Sequence, residues 1–128
     1  MVSTTRAQRI AARIREELSE MLVLEISDPR LDGVSITDVT VDRELAYADV
    51  YVSALRGGDS AESILKGFEH AQGFIRRELS RRVELRTFPR LRFHWDSTFE
   101  RADRIERLIA ELSEESTSSE SEGVQDER

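Results

Sequence analysis

An α+β domain, with helices packed on one face of a small sheet, is predicted by three observations. Apolar residues recur at helical spacing in "RAQRIAARIREELSEML" near the N-terminus and again in "ILKGFEHAQGFIRRELS". Three other stretches, "VSITDVTVD", "YADVYVSAL" and "LRFHW", alternate apolar and polar residues as half-buried strands do. The resulting order is helix, strand, strand, helix, strand and a last short helix, and its apolar faces are buried only if the helices lie on the sheet. With 128 residues, 38% of them apolar, the chain suits one core that buries roughly two-thirds of its unfolded surface.

The first helix is predicted from about Thr5 to Ile26, on the spacing of Ile10, Ile14, Leu18, Met21 and Leu22. Its arginines are followed, without a break in periodicity, by Glu16, Glu17 and Glu20, which reads as part of the domain rather than a targeting segment. "SDPRLDG" stops the helix, because Pro29 disfavours helical geometry at Asp28 and Gly33 marks a turn. Asp28 and Arg30 suit a helix stop closed by a local salt bridge. In "VSITDVTVD" the alternation slips phase between Ile36 and Val39, which predicts a bulge.

After the turn-like "DRELA", the second strand puts Ala48, Val50, Val52 and Ala54 on one face and Tyr47, Asp49 and Tyr51 on the other. The two strands form an antiparallel pair. "GGDSAES" leads to a predicted N-cap at Asp59, with Glu62 in capping-box position. Ile64, Leu65, Phe68, Ala71, Ile75 and Leu79 then form an apolar stripe to about Val83. In the third strand Leu91, Phe93 and Trp95 point inward, and Arg92 and His94 outward. Ile105, Leu108, Ile109 and Leu112 suggest the last short helix. "SEESTSSESEGVQDER" lacks core-forming residues and is expected to be a disordered acidic tail, giving a domain over 1–112 and a tail over 113–128.

Several classes of function are disfavoured. With no cysteine there is no disulfide or thiolate chemistry, which permits a reducing, cytoplasmic setting. No apolar run approaches the ~18 residues of a membrane span. No P-loop, nucleophile elbow, HExxH or paired-carboxylate pattern is present, so no catalytic residues are assigned. His70 and His94 lack short metal-ligand spacing, and neither a metal nor a cofactor is expected.

Charge is more informative when divided. The chain carries −7 overall, yet residues 113–128 hold six acids and one arginine. Between Gly73 and Trp95 there are seven arginines (76, 77, 81, 82, 86, 90 and 92) against Glu78 and Glu84. Local charge governs docking, whereas the total chiefly affects solubility and long-range approach.

On a helical wheel Lys66, His70, Gly73, Arg77 and Arg81 fall nearly opposite the apolar stripe. Glycine costs a helix interior about 0.5–1 kcal/mol relative to alanine. One reading is that the helix is interrupted at Gly73, leaving main chain open to a phosphate between flanking cations. The plainer reading is a solvated face, with a glycine that relieves crowding against a neighbouring helix. Arg76, Arg82, Arg90, Arg92 and His94 would extend a cationic surface or serve as ordinary polar positions. Arg6, Arg9 and Arg13 on the first helix read mainly as solvated charges. Tyr47, Tyr51 and Trp95 are possible base stackers, although Trp95 shares the parity of core residues.

"HAQGFIRREL", "DPRL", "ITDV", "ELAYADVYVS" and the Leu85–Arg86–Pro89–Leu91–Phe93 framework together resemble the bacterial ribosome-binding factor A family, from about Arg6 to Leu112. The sequence departs from that pattern at Ala102, where the family tends to have glycine. The resemblance implies a type II KH-like fold with a three-stranded mixed sheet. In it an Ala-x-Gly kink, here Ala71-Gln72-Gly73, replaces the GxxG loop. It also implies a non-catalytic, monomeric assembly factor that binds the small ribosomal subunit and assists late 16S rRNA processing. Its expected location there is near the 5′-end helix and the decoding region. The RNA-binding residues expected on this basis are Lys66, His70, Arg76, Arg77, Arg81, Arg82, Arg90 and Arg92. The alternative is a protein-interaction module docking on a ribosomal protein or an assembly GTPase.

Overall fold

Helix α1 (Thr4–Leu24) starts where Ser3 accepts a hydrogen bond from the Arg6 N–H at 3.0 Å. It buries Ala7, Ile10, Ala11, Ile14, Leu18 and Met21 along one side. Each fully buried Ile, Leu or Met contributes about 1.5–3 kcal/mol, which outweighs the modest helix propensity of the isoleucines. A computed structural model describes the backbone of residues 1–127 and the side chains of residues 1–114 except Phe99. The chain divides into two units, Met1–Asp96 and Ser97–Arg128.

In the first unit, α1 is followed by a 3-10 turn at Pro29–Leu31 and by strands β1 (Val34–Val41) and β2 (Tyr47–Ala54). These pair antiparallel, with a register shift between Ile36 and Asp38. Thr37 is the extra residue, so the phase slip seen in the sequence is a bulge. Helix α2 (Ala61–Arg82) then crosses over to β3 (Arg90–Trp95), which runs parallel to β2 and pairs Ala48 with Leu91 and Val50 with Phe93. A parallel neighbour requires such a crossover. The sheet is therefore mixed, in the order β1-β2-β3.

The core lies between the helices and one sheet face. Ile14, Leu18, Met21, Val50, Val52, Ile64, Phe68, Ile75 and Leu79 are inaccessible to solvent, and Trp95 packs partly buried against this cluster. Phe68 stacks on Phe93 with centroids 4.6 Å apart, and the Gln72 side-chain amide donates to the Leu91 carbonyl at 3.1 Å.

Three expectations differ from what is seen. Helix α2 runs without interruption through Gly73, so no second helix N-terminus forms there. Phe68 before the glycine and Ile75 after it are both fully buried; this anchoring outweighs the propensity cost of one glycine. The α2 N-cap is Ser60 and not Asp59, and its side chain makes no capping bond. A 3-10 turn at Gly58–Ser60, entered from Gly57 at φ 80°, leads the chain into the helix. In the second unit, helix α3 spans Thr98–Glu127 rather than ending near Leu112. The acidic tail expected to be disordered over 113–128 has its backbone within α3 as far as Glu127, and its side chains from residue 115 onward lie outside the described residues.

Candidate nucleic-acid interface

The apolar side of α2 is fixed against the sheet, which turns Lys66, His70, Gly73, Arg77 and Arg81 outward, all of them exposed. Lys66 pairs with Glu62 at 3.2 Å and Arg81 with Glu78 at 3.1 Å, but the two cations remain 64% and 74% exposed. Such surface pairs are worth at most about 1 kcal/mol and yield readily to a polyanion. His70 and Arg77 have no ion pair within hydrogen-bonding range among the described residues. Arg77 is the stripe's least committed cation.

Gly73 lies inside this stripe. A Cβ built on it would meet nothing within 4 Å, and its backbone is not in the left-handed region. Neither crowding nor an unusual dihedral explains the residue. Gly67, which the sequence reading did not single out, behaves differently. A Cβ there would lie 3.0 Å from Leu31 Cδ2 and 3.4 Å from Arg30 Cβ. Gly67 lets α2 rest on the Pro29–Leu31 turn, whose shape is held by Arg30 forking onto Asp28 at 2.8–3.3 Å. The Arg30 side chain, more than its N–H, holds the Asp28 carboxyl below its ordinary range, and nearby His70 adds a small contribution.

The remaining expected contact residues divide. Arg76 is exposed but donates to the Phe88 carbonyl at 2.8 Å, bracing the loop before β3. Arg82 is only 22% exposed and joins Glu17 at 3.4 Å, Glu25 at closer range and Glu78 at 3.8 Å, clipping the end of α2 to α1. Its guanidinium is raised further, chiefly by the bond to Glu25. Arg90 is exposed at the start of β3, with its N–H bonded to Ala46 at 2.9 Å and no ion pair among the described residues.

Arg92 belongs to a separate network on the open sheet face. Its Nε and Nη2 donate to the two Asp49 oxygens at 2.8 and 2.9 Å, and His94 Nε2 lies 2.7 Å from Asp49 Oδ1. Arg92 sits 4.1 Å over the Tyr47 ring, and Tyr51 stacks on His94 at 5.0 Å. The Arg92 bond, followed by that of His94, keeps the Asp49 carboxyl below its usual range. A phosphate would compete with Asp49 for the Arg92 guanidinium. Between α2 and β3 lies a groove of about 440 Å³ whose polar lining is Glu62, Lys66, Glu69, Gln72 and Arg92.

The structure thus assembles Lys66, His70, Gly73, Arg77 and Arg81 into one outward stripe, with Ala71 and Gln72 turned partly inward beside it. It commits Arg82 and Arg92 to internal partners. A side chain absent from the sequence reading also emerges: Phe74, next to Gly73, is 39% exposed. The helical wheel places it off the apolar stripe, a signal that a search for stacking residues on the strands passes over.

Residues 6–109 match the family model described as Ribosome-binding factor A. The chain is 41% identical over 108 residues to ribosome-binding factor A of Aromatoleum aromaticum, covering 84% of this chain and 85% of the relative. Its fold is similar to the crystal structure of ribosome-binding factor A from Thermus thermophilus. The TM-score is 0.62 with 27% identity, over 70% of this chain and 93% of that one. A Thermus thermophilus homology model fitted into a cryo-EM map of a 30S complex is also similar. It has a TM-score of 0.59 with 29% identity, over 72% of this chain and 97% of that one.

Proposed function

Since this chain belongs to the ribosome-binding factor A family, we propose that it is an assembly factor that binds the small ribosomal subunit through the α2 stripe. The observation that carries the residue-level reading is the placement of Gly73: a helix glycine that no internal contact requires, set among exposed cations. Without a side chain there, an RNA backbone can approach the helix closely while Lys66, Arg77 and Arg81 neutralise phosphates and His70 offers a ring nitrogen for hydrogen bonding. Arg90 is the best placed of the remaining arginines to extend the contact. Arg76, Arg82 and Arg92 support the surface through their bonds to Phe88, to Glu17 and Glu25, and to Asp49.

The protein makes and breaks no bond in this role. It acts as a cytoplasmic monomer that binds one conformation of 16S rRNA, near the 5′-end helix and the decoding region, more tightly than another. Differential affinity of this kind shifts the populations during maturation and so assists processing. The fit of the Thermus thermophilus homologue into a 30S map supports this partner.

Arg77→Glu combined with Arg81→Glu is expected to abolish most binding to small subunits while leaving the circular dichroism spectrum unchanged. Wild-type affinity in that folded variant would reject the stripe as the contact. A salt titration of the parent should show log affinity falling steeply with log salt.

A second reading, docking on a ribosomal protein or a GTPase, draws on a different feature. A groove of about 600 Å³ runs between α1 and the edge strand β1, with Ala7, Ala11, Ala12, Val39 and Val41 in its lining. Association that survives both ribonuclease and high salt would favour that surface.

A further inference from the structure

We infer that Phe74 is a stacking platform for an unpaired nucleobase beside the phosphate-contacting stripe, a reading that rests on the RNA-binding role proposed above. Along the apolar stripe of α2, Ile64, Phe68, Ile75 and Leu79 are fully buried and Leu65 partly so, whereas Phe74, off that stripe, is 39% exposed. Residues three and four apart on a helix are surface neighbours, so Phe74 is flanked by His70, Ala71, Arg77 and Glu78, the last of these engaged by Arg81 and Arg82. His70 and Arg77 are exposed, and neither has an ion pair among the described residues. Beside them Gly73 adds no side chain, and the space a Cβ would occupy there is open.

The chemistry of this patch selects its partner. An apolar protein side chain covering the ring would also desolvate His70 and Arg77 without supplying an anion, which is unfavourable. A nucleotide supplies a π-face for the ring and a phosphate for the cations. The aromatics suggested from the strands are otherwise engaged. Arg92 covers the Tyr47 ring, His94 stacks on Tyr51, and Trp95 packs against the core.

The test titrates the full chain and its Phe74→Leu and Phe74→Tyr variants onto purified small subunits at several salt concentrations, with circular dichroism confirming the fold. Phe74→Leu keeps apolar bulk but loses the ring, and about a tenfold loss of affinity is expected, the size of one base–aromatic stack. Its salt slope should match the parent's, because no phosphate contact is removed. Phe74→Tyr should bind like the parent. Unchanged affinity in Phe74→Leu, an equal loss in Phe74→Tyr, or a shallower salt slope in Phe74→Leu would each overturn the inference. If Arg77→Glu with Arg81→Glu weakens binding and Phe74→Leu does not, only the stacking role fails. If neither weakens it, the RNA-contact reading of this helix face fails as well.

Discussion

Gly67 and Gly73 share one helix and one residue type, yet their surroundings differ. At Gly67 the backbone of α2 meets Leu31 so closely that a methyl group would press on a buried side chain. At Gly73 the same methyl would project into open space. The first glycine is explained by the protein's own packing, whereas at the second no internal contact requires the missing side chain. Around Gly67 the neighbouring charges are consumed by the fold, as in the Arg30–Asp28 fork. Around Gly73, His70 and Arg77 remain unpaired among the described residues. One helix thus carries one glycine against a tight internal contact and another on an open face.

The sharpest way to break this contrast is to fill both sites. Gly67→Val adds bulk where a single Cβ is already tight. It should cost about 1–3 kcal/mol by overpacking, read as a lower urea midpoint with an unchanged m-value. If stability is unaffected, the turn yields easily and the packing explanation fails. Gly73→Ala should do the reverse, raising stability by about 0.5–1 kcal/mol through helix propensity while weakening binding to small subunits. Parent-like binding in Gly73→Ala would leave the exposed glycine without a role.

The smallest effect concerns the sheet face that the stripe does not use. The Asp49 carboxyl is held below its ordinary value of 3.8, first by Arg92 and then by His94. A depressed folded-state value means that the native chain resists protonation more than the unfolded one. The contribution is therefore present above about pH 4 and is lost as pH falls through the folded value. In Asp49→Asn that part of the acid limb should disappear. Stability followed from pH 6 to pH 2 should then fall less steeply than in the parent, while affinity for small subunits stays unchanged at neutral pH.

Much of this arrangement was legible in the sequence, because it follows from periodicity. The slipped phase in "VSITDVTVD" marked the Thr37 bulge. Strand parity separated Ala48, Val50 and Val52 from Tyr47, Asp49 and Tyr51, and the wheel of α2 separated Phe68 and Ile75 from Arg77 and Arg81. What stayed hidden depends on neighbours distant in sequence. The wheel sets Gly73 in the outward stripe and Gly67 outside it, but it does not reveal that the Pro29–Leu31 turn lies alongside Gly67. Nor does the sequence reveal that Arg82 gathers Glu17, Glu25 and Glu78, or that the register of β3 on β2 places Arg92 opposite Asp49. Both follow from how α2 crosses the sheet. The break expected at Gly73 failed for a related reason: local propensity was set against tertiary anchoring, and anchoring prevailed.

The parallel pairing of β2 with β3 has a consequence for order of assembly. As the chain emerges during synthesis, α1, β1 and β2 can associate at once, but one margin of β2 has no neighbour until residues 90–95 arrive. Only then are Gln72 and Arg76 held by Leu91 and Phe88, setting the rotation of the helix about its own axis. A nascent or truncated chain ending before Trp95 would carry every cation of the stripe without aiming them. If the stripe is the contact surface proposed above, competence to dock is acquired last.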